Sequence, residues 1–334
     1  MNSLRKRVAL IYGGRGFEHD ISVRSAEGIK AIIDRDRFEI LSILIARDGA
    51  WYTANEGETA SITFPVRLGD ECGFLTRDGI IKVACAIPCL HGDYGEDGVV
   101  QGLLSAVGIP YIGQDVYASA VTQDKIYTKL CAEHLGIPTA PFIISGGEGV
   151  DEARARAEAS VGYPMIMKPS RLGSSFGITT AKCEAEFKNA YNGAKSHSDR
   201  ILIERLLEVD YELECAFLLG KYAPTGRVYS GGRVYDFDTK YEVGAPTETE
   251  PFDENIEERV RDYSRRLVSL IGIRDLSRLD YLVTRGKEIY FNEINAFPGM
   301  TGTSLYPKLT EQMGLRPGEF ITRLIDASIN DRRL

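Results

Sequence analysis

Basic charge is in deficit in this sequence. Forty lysines and arginines against 48 aspartates and glutamates leave a net charge of −8 and a pI near 5.3, which excludes the electrostatic footprint of a nucleic-acid binder. Anionic ligands must then be held by local lysines and arginines, not by the global field. Long hydrophobic runs are missing too. No stretch approaches membrane-spanning length, so no membrane association is expected. At the start, the apolar part of "MNSLRKRVALIYGG" is only "VALIY", too short for the core of a signal peptide and ended by a glycine turn. Histidine is scarce, with four residues and no ligand spacing. Cysteines 72, 85, 89, 131, 183 and 215 sit singly in apolar contexts, so buried free thiols in a reducing cytoplasm are expected, not disulfides or a metal cluster. Two nucleotide motifs are absent as well. The loop G-x-x-x-x-G-K-[ST] occurs nowhere, and the dinucleotide fingerprint fails because Gly14 and Gly16 are followed by His19 where the third glycine belongs. There is no internal repeat or low-complexity tract.

What is present is an ordinary globular composition, 43% hydrophobic and 26% charged, over 334 residues. That is more chain than one core usually serves, so two or three domains are expected. In the first third "RVALIYGG", "FEILSILIA" and "IKVACAIPCL" read as strands, and "SVRSAEGIKAIIDR" and "GVVQGLLSAVG" as helices. This alternation predicts a parallel α/β domain over residues 1–114. A central domain over 115–208 opens with the helix "AVTQDKIYTKLCAEHLG" and continues with "YPMIMKPSRLGSSFGITTA", two strands joined by a Gly/Ser loop. A carboxy-terminal domain over 209–334 contains the helix "NIEERVRDYSRRLVSLIG" and a hairpin. The fold class is therefore mixed α/β and α+β.

The hairpin is "RLDYLVTRGKEIYFNEINAFPGM". Its strand-like runs, 279–284 and 289–295, flank a Gly-Lys pair suited to a two-residue turn. With Gly286 and Lys287 in the turn, Asp280 lies opposite Glu293 and Arg278 opposite Asn295. Side chains alternate along a strand, so these four residues share one face. Two carboxylates at cross-strand distance repel unless a cation sits between them or one takes a proton. Oxygen-only ligands favour Mg²⁺, which takes one or two carboxylates plus substrate phosphates; the alternative is a solvated face with a surface Arg-Asp pair. A phosphate partner is at hand in "MKPSRLGSSFGI", where Lys168 ends an apolar strand before Gly173, Ser174, Ser175 and Gly177, whose backbone N–H groups can approach phosphates closely. On residue type alone, Lys125 reads as an exposed helix lysine and Glu204 and Glu212 as edge or surface positions. Glu18 and His91 read as helix-start or turn residues, and Tyr241 as a surface aromatic.

Taken together, "GGRGFEHDISVRSA", "LHGDYGEDGVVQGLL", "QDKIYTK", "KPSRLGSSFGI", "DFDTKY", "RLDYLV" and "FNEINAFPGMTGTSLYP" resemble, in order and nearly end to end, the ATP-grasp superfamily and within it the D-alanine–D-alanine ligases of bacterial cell-wall synthesis. The resemblance implies an ATP-grasp fold behind an amino-terminal Rossmann-like domain, a cytoplasmic enzyme, a homodimer through that first domain, and ATP with two Mg²⁺ ions (Mn²⁺ as a substitute). Lys125 and Lys168 match the lysines on the ATP phosphates, Glu204 and Leu207 the adenine hinge, and Glu212 the ribose acid. Asp280, Glu293 and Asn295 match the metal ligands. Glu18 matches the acid that receives the first D-alanine's ammonium, with His91 near that substrate. Arg278 and the Gly299 N–H match the oxyanion donors, while Ser304 and Leu305 meet the second substrate. Lys240 and Tyr241 fall in the loop that closes over the site, the tyrosine linking through Ser174 to Glu18.

The implied reaction passes through a D-alanyl phosphate that the second D-alanine attacks. Tyr241 and Leu305 favour D-alanine over D-lactate or D-serine as that second substrate. Gly16, Phe17, Asp20 and Thr303 depart from the family's usual residues. The other readings are a sister ligase, an ATP-grasp ligase with other substrates, a non-catalytic nucleotide-binding module, and a nicotinamide oxidoreductase.

Overall fold

The computed structural model describes residues 5–55, 57, 60–229, 247–249 and 253–330. The first third runs β1 (Lys6–Gly13), α1 (His19–Ile32), β2 (Phe38–Ile45) and β3 (Trp51–Thr53), then β4 (Phe64–Leu68), β5 (Glu71–Thr76) and β6 (Gly79–Ile81), and finally β7 (Cys85–Pro88) and α2 (Val99–Val107). The main sheet has the order β3-β2-β1-β7, parallel except for β3 at its edge. A parallel sheet is covered on both faces, which is why β1 reads as an unbroken apolar run. Its Val8, Leu10 and Tyr12 face one core and its Ala9 and Ile11 another. The expected strand "IKVACAIPCL" is shorter than its apolar run, because Ile81 ends the separate antiparallel sheet β4-β5-β6 and only Cys85–Pro88 joins β1.

The next segment runs α3 (Val116–Gln123), α4 (Lys125–His134), β8 (Phe142–Ser145), α5 (Val150–Ser160), β9 (Met165–Pro169), β10 (Thr179–Ala181), α6 (Glu184–Lys195) and β11 (Ile201–Arg205). Its four strands form an antiparallel sheet, β10-β9-β11-β8, with α5 and α6 packed against it. The single helix expected over 120–136 is two. Asp124 leaves helical geometry at ψ 107° and its carboxylate accepts the Ile126 N–H at 3.0 Å. A side-chain-to-backbone bond of this kind competes with helix continuation and starts a new helix instead. Lys125 thus becomes the first residue of α4, and its own N–H donates to the Ser170 carbonyl at 2.8 Å.

The last segment runs β12 (Val209–Leu218), β13 (Lys221–Tyr222), β14 (Gly226–Val228), β15 (Thr247–Glu248), α7 (Glu254–Ile271), β16 (Leu276–Thr284), β17 (Ile289–Asn295), α8 (Leu305–Gln312) and α9 (Glu319–Asn330). The sheet order is β15-β14-β12-β16-β17, with β13 also on β12. One face of β12, β16 and β17 packs with α7 and with Ala132 of α4. Residues of α8 and α9 share a core with β1, β7 and α1, so both chain ends build one body.

The hairpin pairs Asp280 with Glu293 and Arg278 with Asn295 as expected, but not by the expected turn. Three residues, 285–287, lie between the last bonded pair: the Thr284 N–H donates to the Glu288 carbonyl at 3.1 Å, the Lys287 N–H donates to the Thr284 carbonyl at 2.8 Å, and Lys287 sits at φ 59°. Near the turn the register is therefore displaced by one residue. A bulge between Asp280 and Tyr281 and their partners restores it.

All six cysteines are free; Cys85, Cys89 and Cys215 are buried, Cys72 and Cys131 are half-buried, and Cys183 is exposed, against the expectation that all are buried. Among the described residues no helix is long and apolar enough to cross a membrane.

Helix α1 also approaches the loop after β17. A Cβ built on Gly28 would lie 1.9 Å from the Met300 carbonyl oxygen, whereas on Gly102 of α2 its nearest neighbour would be Val116 Cγ2 at 3.6 Å. Helix propensity alone favours alanine at both by about 1 kcal/mol. Gly102→Ala should therefore raise stability by roughly 0.5–1 kcal/mol, and Gly28→Ala should lower it by about 2 kcal/mol or more because backbone must move. Urea unfolding midpoints of the two variants test this, and a stabilised Gly28→Ala would refute the close approach.

Candidate active site

The acids that interrupt β16 and β17 gain a third neighbour. Glu214 of β12 pairs with Asp280, so Glu214, Arg278, Asp280, Glu293 and Asn295 share one sheet face. Arg278 spans the first two acids. Its Nε and Nη2 donate to the two Asp280 oxygens at 2.8 and 2.7 Å, and Nε is 3.2 Å from Glu214 Oε2. Burial disfavours the Arg278 charge, but Asp280 and Glu214 outweigh it and raise its pKa further. Asn295 Nδ2 donates to Asp280 Oδ2 at 2.9 Å. Glu293 pairs instead with Lys125, Oε2 to Nζ at 3.3 Å. The Arg-Asp pair is thus a buried one; Glu214 and Asp280 share Arg278, and Glu293 is paired with Lys125.

Two cavities meet here. One, of about 110 Å³, is lined by Glu18, His91, Gly173, Ser174, Glu214, Arg278, Asn295, Gly299, Ser304 and Leu305. The other, of about 520 Å³, is lined by Lys168, Ser175, Glu204, Leu207, Glu212 and Asn292. Lys125 and Glu293 line both. The capped start of α4 and the restored hairpin register are what bring this pair to the junction. Lys125 is accordingly not the exposed helix lysine of a residue-type reading; its side chain is 12% exposed.

On the larger cavity's side Glu204 is 1% exposed, not an edge residue, because β11 lies between β9 and β8. Its Oε1 is 2.7 Å from Lys129 Nζ and its Oε2 is 2.6 Å from Lys168 Nζ. Burial alone would raise the carboxyl's pKa; the two ammonium groups prevail and hold it at about 2. Lys129 also donates to the Phe291 carbonyl at 2.9 Å, and Lys168 donates to Asn292 Oδ1 at 3.1 Å. The bulge accounts for Asn292. Phe291 and Ile294 face the core, while both intervening residues, Asn292 and Glu293, face the cavity.

On the smaller cavity's side Glu18 sits just before α1 and accepts a short hydrogen bond from the Ser174 hydroxyl. Its carboxylate fits between two glycines: a Cβ at Gly92 or Gly173 would lie 2.2 or 2.8 Å from Glu18 Oε2. The Glu18–Ser174 link of the expected Tyr–Ser–Glu chain is therefore present, whereas Lys240 and Tyr241 lie outside the described residues. His91 is buried, with Nε2 2.9 Å from Ser25 Oγ, and Ser25 Oγ also accepts the Met300 N–H at 3.4 Å. Glu96 accepts the N–H groups of Gly92 at 2.9 Å and Phe297 at 3.0 Å. Burial, then the neighbouring Glu18 charge, push its pKa up to about 8. Ser304 Oγ accepts the Thr301 N–H at 3.1 Å, and a Cβ on Gly299 would come within 2.9 Å of that oxygen. Leu305 is 5% exposed and packs over Gly226.

Glu96, Lys129, Glu214 and Asn292 are the site residues that residue-type reading passed over. Lys129 had a signal, since it shares a helical face with the buried Ile126 and Ala132. Glu214 had another, two residues beyond Glu212 in the same strand. Glu96 lies in "LHGDYGEDGVVQGLL", where residue type gives it no distinct role, and Asn292 depends on a bulge that alternation does not announce.

For a divalent cation the donors are oxygen throughout: the carboxylates of Asp280 and Glu293 and the amide of Asn295. Among the described residues no group of three acidic, histidine or cysteine side chains closes into a cage. Two carboxylates and an amide fit a cation such as Mg²⁺, which takes few protein ligands beside waters and substrate phosphates.

Burial, then the Arg278 charge, lower the His91 pKa to about 4. The unfolded chain then binds this proton first, so the contribution to stability is complete above about 6.5 and is lost as pH falls through 4. Between pH 7 and 4.5 the wild type should lose roughly 2–3 kcal/mol more than His91→Gln. Unfolding curves for both proteins at the two pH values provide the check, and parallel losses would exclude a buried neutral imidazole.

The family described as "D-ala D-ala ligase N-terminus" matches residues 7–114, and "D-ala D-ala ligase C-terminus" matches residues 131–326. A D-alanine–D-alanine ligase of Bifidobacterium adolescentis is 34% identical, the match covering 96% of this chain and 98% of that one. Among solved structures, the VanG D-Ala:D-Ser ligase of Enterococcus faecalis superimposes with a TM-score of 0.85 at 29% identity, over 96% of this chain and 99% of that chain. The D-alanine–D-alanine ligase of Coxiella burnetii does so with a TM-score of 0.85 at 27% identity, over 98% and 94%. The two family models together take in most of the chain, and the chain belongs to the D-alanine–D-alanine ligase family, with its ATP-grasp fold.

Proposed function

We propose that this chain joins two D-alanine molecules into D-alanyl-D-alanine, converting ATP to ADP and phosphate, and that it does so by phosphorylating the first D-alanine's carboxylate. The observation that carries the reading is the junction of the two cavities at Lys125 and Glu293. A nucleotide in the larger cavity, with its base toward Glu204 and Leu207 and its ribose toward Glu212, directs its phosphates past Lys168 to Lys125. An amino acid in the smaller one, its ammonium on Glu18 and close to His91, presents its carboxylate at the same point. Lys125 and Lys168 neutralise charge on the transferring group. Asp280, Glu293 and Asn295 would hold the Mg²⁺ ions, which supply further neutralisation of the phosphate oxygens.

The second D-alanine then attacks the acyl phosphate, its carboxylate toward Ser304 and Leu305. The tetrahedral oxyanion falls to Arg278 and the Gly299 N–H, where two fixed donors act most strongly if water is excluded. Arg278 is already oriented by Asp280 and Glu214, so little reorganisation is needed. The buried Leu305 offers the second side chain an apolar wall, which favours D-alanine over D-serine. Lys240 and Tyr241 belong to the same reading as lid residues. So do a dimer through residues 1–114, the three-domain division at 114 and 208, Mn²⁺ as a substitute metal, and a cytoplasmic location. A sedimentation mass of one 37.0 kDa chain would refute the dimer.

Phosphate release should be measured with ATP and Mg²⁺ and, in parallel, D-alanine, L-alanine, D-alanine with D-lactate, and D-alanine with D-serine, identifying products by mass. D-alanyl-D-alanine should dominate every mixture containing D-alanine, and L-alanine should give no turnover. A depsipeptide or a D-alanyl-D-serine product in excess would reassign the second substrate. ATP binding without D-alanine-dependent turnover would reject the reaction.

A further inference from the structure

We propose that Phe17 and Phe176 form an aromatic clasp that fastens the Gly/Ser loop over the cleft and sets how completely water is kept from the acyl phosphate. The proposal rests on the two-step reading above. Phe17 stands just before Glu18 in the loop that follows β1, and Phe176 belongs to the loop between β9 and β10. Their rings stack with centroids 4.3 Å apart at 20°, and His197 meets Phe176 edge-on at 5.0 Å. Phe17 is 66% exposed. Packing in a core therefore does not explain a phenylalanine there; the stack is what it contributes.

The loop needs such a fastening. Ser174 and Ser175 lie at φ 49° and 58°, in the left-handed region that L residues other than Asn and Asp seldom occupy. Backbone held in that region persists only where surrounding contacts over-determine it. Among the described residues, contacts that reach across from the first segment include the Ser174–Glu18 hydrogen bond on the cleft side and the ring stack on the solvent side. They are one residue apart on one partner and two apart on the other, so they open or close together. The hydrogen bond is part of the substrate site. The stack is not, and neither ring lines the smaller cavity, which makes the two phenylalanines positioning residues.

Water that reaches the intermediate adds its oxygen to the acyl carbon. The bond from that carbon to the phosphate oxygen breaks, phosphate leaves with the bonding pair and takes up one of the water's two protons, and the other passes to solvent. D-alanine is regenerated and ATP is hydrolysed without a peptide bond. A loosened clasp should therefore lower coupling before it lowers the rate of phosphorylation.

The test measures phosphate and D-alanyl-D-alanine in the same reaction for the full chain and for Phe17→Ala, Phe176→Ala, the double variant and Phe17→Tyr. Wild type should form the two products one to one. Each alanine variant should release severalfold more phosphate than dipeptide, the double variant should be no worse than either single one because they remove the same contact, and Phe17→Tyr should restore coupling. Phe176→Leu replaces Phe176→Ala if that variant fails to fold. One-to-one stoichiometry in Phe17→Ala, or losses that multiply in the double variant, would overturn the clasp. A wild type that makes no dipeptide would overturn the ligase reading instead.

Discussion

Carboxylates crowd one narrow cleft in this protein, and the rest of the site is arranged around that constraint. Glu18, Glu96, Glu214 and Glu293 line one cavity, with Asp280 directly behind it. Such groups stay ionised together only if each finds a cation or backbone N–H groups. Arg278 serves Glu214 and Asp280, Lys125 serves Glu293, and the Ser174 hydroxyl serves Glu18. Glu96 receives two backbone N–H groups, and its pKa still stands near 8. In the function proposed above, the cations that make these acids tolerable are the same ones that meet the phosphate and the oxyanion. On that proposal, the electrostatics that hold the cleft together also orient its cations for anions in advance.

The same logic governs the larger cavity. A buried Glu204 is sustained by Lys129 and Lys168, and those lysines also reach the β17 backbone at Phe291 and the side chain of Asn292. Removing one partner of such a group leaves an uncompensated charge, so the three are a single structural unit. That unit connects β11, which carries Glu204, to β17, the strand that presents Glu293.

Sequence patterning made much of this legible. Strand–helix alternation announced the parallel sheet, and period-two alternation in the hairpin placed Arg278, Asp280, Glu293 and Asn295 on one face. Lys168 could be nominated because a lysine closing an apolar strand before a Gly/Ser loop has few structural reasons to be there. What stayed hidden depends on tertiary placement. Glu204 looked like an edge acid because nothing local shows that β11 is flanked on both sides. Lys125 looked exposed because the Asp124 cap, which breaks one helical pattern into two, is a hydrogen bond and not a periodicity. Glu18, His91 and the Gly299 loop acquire meaning only where segments far apart in sequence meet, and there the family resemblance supplied what residue type could not.

The bulge in β17 has a further consequence. The expected hairpin reached the right pairing through two errors that cancel, a turn one residue too short and a bulge left out. The protein makes the same exchange: the longer loop sets the strands out of step, and the bulge spends that offset on aiming two successive side chains, Asn292 and Glu293, at the cavity. Loop length and bulge are therefore a linked pair of traits. A chain that shortens the loop alone turns Glu293 into the core or Phe291 into the cleft, so drift in the hairpin tip is constrained by chemistry at its opposite end.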